Sequence, residues 1–300
     1  MMTRLFLALF MLATAFAVLP THAALAQEAA TAEATSEAAP AADADALPAA
    51  IQFDASKIVG HAKPWQLNFQ EARTPVMEQL TWLHNLLLWI ITVITIIVLV
   101  VLVYVCIRFR AKRNPVPNKF THNAVVEVLW TVIPILILVG VAIPSLRVHY
   151  QYVDNETIIN NPDMTLKIVG NQWYWHYEYP DEGIAYDSNI KKDEELAEGE
   201  PRLLSVDNPI VVPVNKVVRL QITGADVIHN WAMPAFGVKQ DAIPGKLNQG
   251  WFKADKVGIY YGQCSELCGK FHGFMPIQVH VVTEEEYKEW LAWAKVKLAA

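Results

Sequence analysis

Two cysteines, a histidine and a methionine fall within 12 residues, Cys264-Ser265-Glu266-Leu267-Cys268-Gly269-Lys270-Phe271-His272-Gly273-Phe274-Met275. His229 lies 35 residues upstream, at the end of a segment that reads as a strand. Thiolate and thioether ligands combined with imidazoles select copper over hard cations. One histidine from a distant strand with Cys, His and Met from a single loop is the ligand arrangement of a blue-copper site. Here there is a second cysteine, and two thiolates can each bridge two metal ions. Each copper would then also take one histidine and one weak ligand. A bridged pair shares one electron, so each metal–ligand bond changes less on redox and transfer is fast. The levers left to the protein are hydrogen bonds to the ligands and the apolar shell around them.

Three other chemistries use parts of this set. A Cys264–Cys268 disulfide suits an oxidising compartment, but it leaves His229, His272 and Met275 as coincidences. A zinc site takes the histidines and cysteines, yet Met275 is a poor zinc ligand. A thiol-based copper chaperone also uses Cys-x-x-x-Cys with His. It is distinguished by the adjacent methionine and by the membrane anchor described next.

The elements that must carry the cluster are β-strands. Leu166 and Ile168, then Trp173, Trp175, Tyr177 and Tyr179, alternate with other residues. So do Val218, Leu220 and Ile222, and Ile277, Val279 and Val281. Period two is the mark of a strand, and in the last run Gln278 and His280 are the alternating residues. Turn signals such as Asn160-Asn161-Pro162-Asp163 and Pro244-Gly245 separate the runs. About 130 residues of short strands predict a Greek-key sandwich or barrel over 151–283. Thr283-Glu284-Glu285-Glu286 is a capping box. It opens a C-terminal helix over 284–300 with Tyr287, Trp290, Leu291, Ala294 and Leu298 on one face, expected to pack on the domain.

The chain of 300 residues is 53% hydrophobic and 18% charged, with net charge −6. That excludes a disordered protein and a nucleic-acid binder, which needs a basic face. Three cysteines cannot build a disulfide scaffold. The apolar excess is membrane-spanning. Leu86 to Ile107 is 22 residues without a charge, about 33 Å as a helix, enough to cross the hydrocarbon core. Val125 to Leu146 returns, with Pro134 inside it. The spans are expected at about 83–107 and 125–147, within a hairpin over 64–150. Arg108, Arg110, Lys112, Arg113 and Lys119 lie between them and place that loop in the cytoplasm. Arg4, the apolar run Leu5–Leu19 and Ala24-Leu25-Ala26 form a signal peptide over 1–26. An Ala-, Glu- and Thr-rich stretch follows, read as part of a disordered leader over 27–63. Both signals put the soluble half outside a bacterial inner membrane, in the periplasm. Its 14 basic and 21 acidic residues give it a net charge of −7. Glu127, near the cytoplasmic start of the second span, is a functional candidate because a carboxylate there is costly. Cys106 reads as an apolar filler.

From about Pro64 to Trp290 the chain resembles subunit II of the bacterial haem–copper cytochrome c oxidases. The resemblance is carried by Val126-Glu127-Val128-Leu129-Trp130-Thr131, Pro144-Ser145-Leu146-Arg147, Gln172-Trp173-Tyr174-Trp175, Asp226-Val227-Ile228-His229-Asn230-Trp231, Asp241-Ala242-Ile243-Pro244-Gly245 and the Cys264–Met275 loop. It implies an all-β cupredoxin-like Greek-key barrel behind the two-helix hairpin, with a dinuclear copper centre, CuA. His229, Cys264, Cys268, His272 and Met275 are then side-chain ligands. Glu266 supplies its backbone carbonyl, and its carboxylate reaches a Mg²⁺ or Mn²⁺ ion shared with subunit I. Trp173 is implied as the aromatic through which cytochrome c delivers electrons. Glu178, Asp187, Asp207 and Asp226 are implied as carboxylates steering that basic donor, and Glu127 as the mouth of a proton path into subunit I. The implied activity is that of a proton-translocating terminal oxidase. Subunit I, other oxidase subunits, cytochrome c and the bilayer are the implied partners. No Cys-x-x-Cys-His is present, so no haem c is expected on this chain. Quinol-oxidising relatives lack the two cysteines.

Overall fold

The computed structural model describes residues 48–116 and 118–298. The expected signal peptide, and the leader as far as residue 47, lie outside the described residues. A short strand, β1 (Ile58–Gly60), precedes the first long helix, α1 (Pro75–Arg108). Thr74 caps α1 by accepting from the Met77 amide at 3.0 Å, and Pro75 sits at the start, where its missing N–H costs nothing. Its 34 residues reach about 51 Å, more than the hydrocarbon core needs. The surplus lies at the N-terminal end, where Val76 and Met77 are buried. The second helix, α2 (Ala124–Val148), starts on Asn123, whose side chain accepts from the amides of Val125 and Val126. It runs through Pro134 and Pro144 into a π-helical turn, His149–Val153, and a short helix, α3 (Glu156–Ile159). The expected spans fall inside α1 and α2. Both helices present their apolar side chains outward, as surfaces meeting lipid or neighbouring protein do.

Ten further strands follow: β2 (Met164–Asn171), β3 (Tyr174–Tyr179), β4 (Ile184–Ser188), β5 (Ile210–Pro213), β6 (Val218–Gly224), β7 (His229–Met233), β8 (Val238–Ala242), β9 (Asn248–Phe252), β10 (Gly258–Cys264) and β11 (Pro276–Val282). One sheet has the order β4-β3-β2-β6-β9. The other has the order β5-β11-β10-β7-β8, with β1 added on β10. The two form a cupredoxin-like β-sandwich. Leu166, Ile168, Trp175, Tyr177, Leu220 and Ile222 fill the interior from the first sheet, as their period of two predicts. Trp231, Phe252, Tyr260, Ile277 and Val279 complete it. A final helix, α4 (Glu284–Lys297), carries both bonds of the expected capping box, Thr283 with Glu286. It buries Trp290 and Ala294, with the Trp290 ring 5.3 Å from that of Tyr179.

One expectation is corrected. The leader was expected to lack structure to residue 63, but it is ordered from Ala49 onward. Ile58 and Gly60 of β1 pair in parallel with Ile259 and Tyr260 of β10. That edge of β10 is open because β7 pairs only with Gln263 and Cys264, and an open edge is a template for another strand. Strand β11 has all seven residues buried. Gln278 and His280, which alternate with its apolar residues, do not face water. Instead the 49–57 segment and the chain around Val206 cover them. His280 Nδ1 meets the Ala50 carbonyl at 2.7 Å, and Gln278 Oε1 accepts from the Val206 amide at 2.9 Å.

β1 and β10 lie on either side of the helical hairpin in sequence, yet they pair directly. The chain before α1 and the sandwich after α2 are therefore on the same side of any membrane the hairpin crosses.

Candidate metal centre

The Cys264–Met275 loop joins β10 to β11, which are paired from Gly258–Val281 to Gln263–Pro276. Its ends are thus fixed by a sheet. Gln263 Nε2 also donates to the Gly273 carbonyl at 2.7 Å across the loop, and the Ser265 amide donates to Asn230. His229 opens β7, the neighbour of β10, where Trp231 faces Cys264. A rigid strand pair therefore presents a histidine and a thiol side by side.

Side chains of His229, Cys264 and Cys268 place ligand atoms within 4.8 Å of one another. The two sulfur atoms are 3.9 Å apart, too far for a disulfide bond, and both cysteines are free. Met275 Sδ lies 3.5 Å from the Cys268 sulfur and His272 Nδ1 lies 3.6 Å from it. The Glu266 carbonyl oxygen is 3.4 Å from the Cys264 sulfur. All five side chains singled out in the sequence, and the one carbonyl, therefore gather around the two sulfur atoms.

The electrostatics suit a cation. His229 is fully buried, and its Nδ1 has no hydrogen-bond partner. A buried nitrogen left without a partner is costly unless something electron-poor completes it. Burial opposes ionisation of Cys264, but the neighbouring His229 ring and the backbone of Asn230 and Glu266 outweigh it and bring the thiol down to about 7. Burial and the adjacent Cys264 charge push Cys268 up to about 12. A thiolate-prone sulfur, a second sulfur in contact, two imidazoles and a thioether are soft donors, and this set fits copper.

The other sequence candidates divide by location. Trp173 is half-buried beside the loop, its indole N–H 3.3 Å from the Cys268 carbonyl and its ring 5.0 Å from that of Phe271. Trp175 is wholly buried behind it. Asp226 is joined to the centre itself. Its carboxylate accepts from His229 Nε2 at 2.9 Å, the Val227 amide at 2.6 Å and the Gln172 amide at 2.8 Å. Glu178 and Asp187 lie on the outer face of the β4-β3-β2 sheet. Glu178 is paired with Lys167 at 2.7 Å and Asp187 with His176 at 2.7 Å. Asp207 accepts from the Asn189 and Asn208 amides. Glu266 is exposed, and its carboxylate makes no hydrogen bond or ion pair among the described residues. Glu127 is remote, on α2, and its carboxylate caps the helix by accepting from the Asn123 amide at 3.0 Å.

Two residues escaped sequence reasoning. Gln172 Nε2 donates to the Cys268 carbonyl at 2.8 Å, tying the 171–173 turn to the loop. Gly170 lies against the His229 ring, where a Cβ would come 2.8 Å from Cδ2. A glycine inside a strand is a signal of close approach, but it does not name the neighbour.

Comparison with known proteins gives a consistent family. Residues 62–148 match the cytochrome c oxidase subunit II transmembrane domain, and residues 164–282 match the subunit II periplasmic domain. A Rickettsia bellii protein described as a probable cytochrome c oxidase subunit 2 is 51% identical over 251 residues, which are 83% of this chain and 91% of that one. Cytochrome c oxidase subunit 2 of Cereibacter sphaeroides is 44% identical over 268 residues, covering 83% and 87%. The crystal structure of the periplasmic domain of cytochrome oxidase subunit II from Bradyrhizobium japonicum is 58% identical. It covers 46% of this chain and 98% of that one, with a TM-score of 0.44.

Proposed function

Because the chain belongs to the cytochrome c oxidase subunit II family, we propose that it is the electron-entry subunit of a haem–copper oxidase. The observation that carries this reading is buried His229, its Nδ1 without a hydrogen-bond partner and a ring nitrogen within 4.8 Å of two thiol sulfurs. His229, Cys264, Cys268, His272, Met275 and the Glu266 carbonyl would hold two copper ions. Bound there, the copper pair supplies one-electron chemistry between a cytochrome c donor and the haem of subunit I, where O₂ becomes water and protons are translocated.

The chain's own residues do the rest. Strands β7 and β10 hold His229 and Cys264 so that the ligands move little as charge comes and goes. Trp173 offers a π-face at the surface while its N–H holds the backbone of Cys268. Glu178, Asp187, Asp207 and Asp226 give that surface the negative field that attracts a basic donor, an effect that salt weakens. Lys167 and His176 offset part of it. The Glu266 carboxylate, exposed and without a partner among the described residues, would reach Mg²⁺ or Mn²⁺ at a boundary with subunit I. Glu127, at the basic-loop end of α2, would serve as the mouth of a proton path into subunit I. We assign the sandwich to the periplasm because the basic Arg108–Lys119 loop belongs in the cytoplasm.

The test is metal analysis and electron spin resonance on the full chain purified in detergent. We expect two coppers per chain, hyperfine structure from two equivalent copper nuclei, and a haem-bearing partner that co-purifies. A single copper, or a colourless chain with Cys264 linked to Cys268, overturns the reading.

A further inference from the structure

We propose that Asp226 is a positioning residue for His229, fixing the imidazole as the Nε2–H tautomer so that Nδ1 presents its lone pair to the two thiols. This rests on the reading of His229 as a copper ligand. It adds a role for Asp226 inside the site, where surface charge alone had been assigned to it.

An ionised carboxylate has acceptors only, so a contact of 2.9 Å between Asp226 Oδ1 and His229 Nε2 places the proton on Nε2. The neutral ring then has its acceptor at Nδ1, the atom that is buried without a partner. The carboxylate is itself held on both oxygens. Oδ1 also accepts from the Val227 amide at 2.6 Å, and Oδ2 accepts from the Gln172 amide at 2.8 Å. The ring has no room to turn, because Gly170 packs against its Cβ–Cγ–Cδ2 edge and the Trp175 ring centre is 5.9 Å away. A histidine ligand whose far nitrogen donates to a carboxylate is oriented and made more basic by it. Here the same carboxylate reaches, through Gln172, the carbonyl of Cys268. One side chain thus braces ligands on two separate segments, His229 at the start of β7 and Cys268 in the loop.

The test uses the full chain in detergent. Nitrogen-15 histidine NMR of the metal-free protein at alkaline pH reads the tautomer, and competition with bicinchoninate reads copper(I) affinity. The wild type is expected as Nε2–H, and an Nδ1–H ring overturns the proposal without any variant. Asp226→Ala is expected to mix the tautomers and weaken copper(I) binding about 10- to 100-fold. Unchanged tautomer and affinity in Asp226→Ala overturn it, and a change confined to the KM for cytochrome c returns Asp226 to docking alone. If the wild type takes up no copper, the functional reading fails, while the wild-type tautomer still decides this proposal.

Discussion

At the scale of residues, the proposed centre divides into groups that would donate to metal and groups that hold them. The candidate donors stand out in the sequence, because two cysteines, a histidine and a methionine within one loop have few other uses. The holders do not. Asp226 reads as one of four carboxylates steering a donor, and Gln172 carries no role of its own. Gln172 meets Asp226 and Cys268 across 54 and 96 residues, and no local pattern encodes such a distance; Asp226 meets His229 only three residues on, but an acidic residue at that spacing does not by itself show the contact. Trp173 stands between the classes, since its half-buried ring packs on Phe271 while its N–H holds the loop. Replacing it with alanine is expected to cut electron entry from cytochrome c by at least tenfold and to leave the copper absorption spectrum in place. Stopped-flow reduction of the purified complex measures both, and an unchanged rate removes Trp173 from the path.

At the scale of elements, the strands act as a jig. Periodicity of two located β2, β3, β6 and β11 and their inner faces, because each buries at least one face. It does not describe the outer face of β11, where Gln278 and His280 are as buried as their apolar neighbours. A polar residue signals water only when nothing covers it, and here the cover comes from a segment some 230 residues earlier. The closeness of β2 to His229 gives a prediction. Gly170→Ala puts a methyl 2.8 Å from the ring. Overpacking of this kind costs about 1–3 kcal/mol, and the ring must shift. We expect a lowered melting temperature together with at least a tenfold loss of copper affinity in a chelator titration. Wild-type affinity in this variant contradicts the tight seat described for His229.

At the scale of the whole molecule, the described chain is one soluble domain on a hairpin, with its N-terminal segment wrapped onto the domain's far sheet. His280 is the peg of that wrap. Burial brings its proton affinity down to about 4 from the ordinary 6.5. The folded state therefore resists a proton that the unfolded chain accepts, so stability is complete above about pH 6.5 and declines as pH falls toward 4. One pKa unit is 1.36 kcal/mol, so the loss approaches about 3 kcal/mol. Denaturant titrations of the full chain at pH 7 and pH 4.5 should show it, and His280→Gln should flatten the difference. An equal slope in that variant assigns the acid sensitivity elsewhere.

The pairing of β1 with β10 also sets a timetable. A ribosome releases residues 58–60 some 200 residues before their partners at 258–260. Between those moments two hydrophobic segments must enter the bilayer and most of the sandwich must be synthesised. The first strand to emerge is thus among the last to find its place, and until it docks one edge of β10, the strand that ends in Cys264, stays open. A segment made early thus supplies one of the fold's closing stitches.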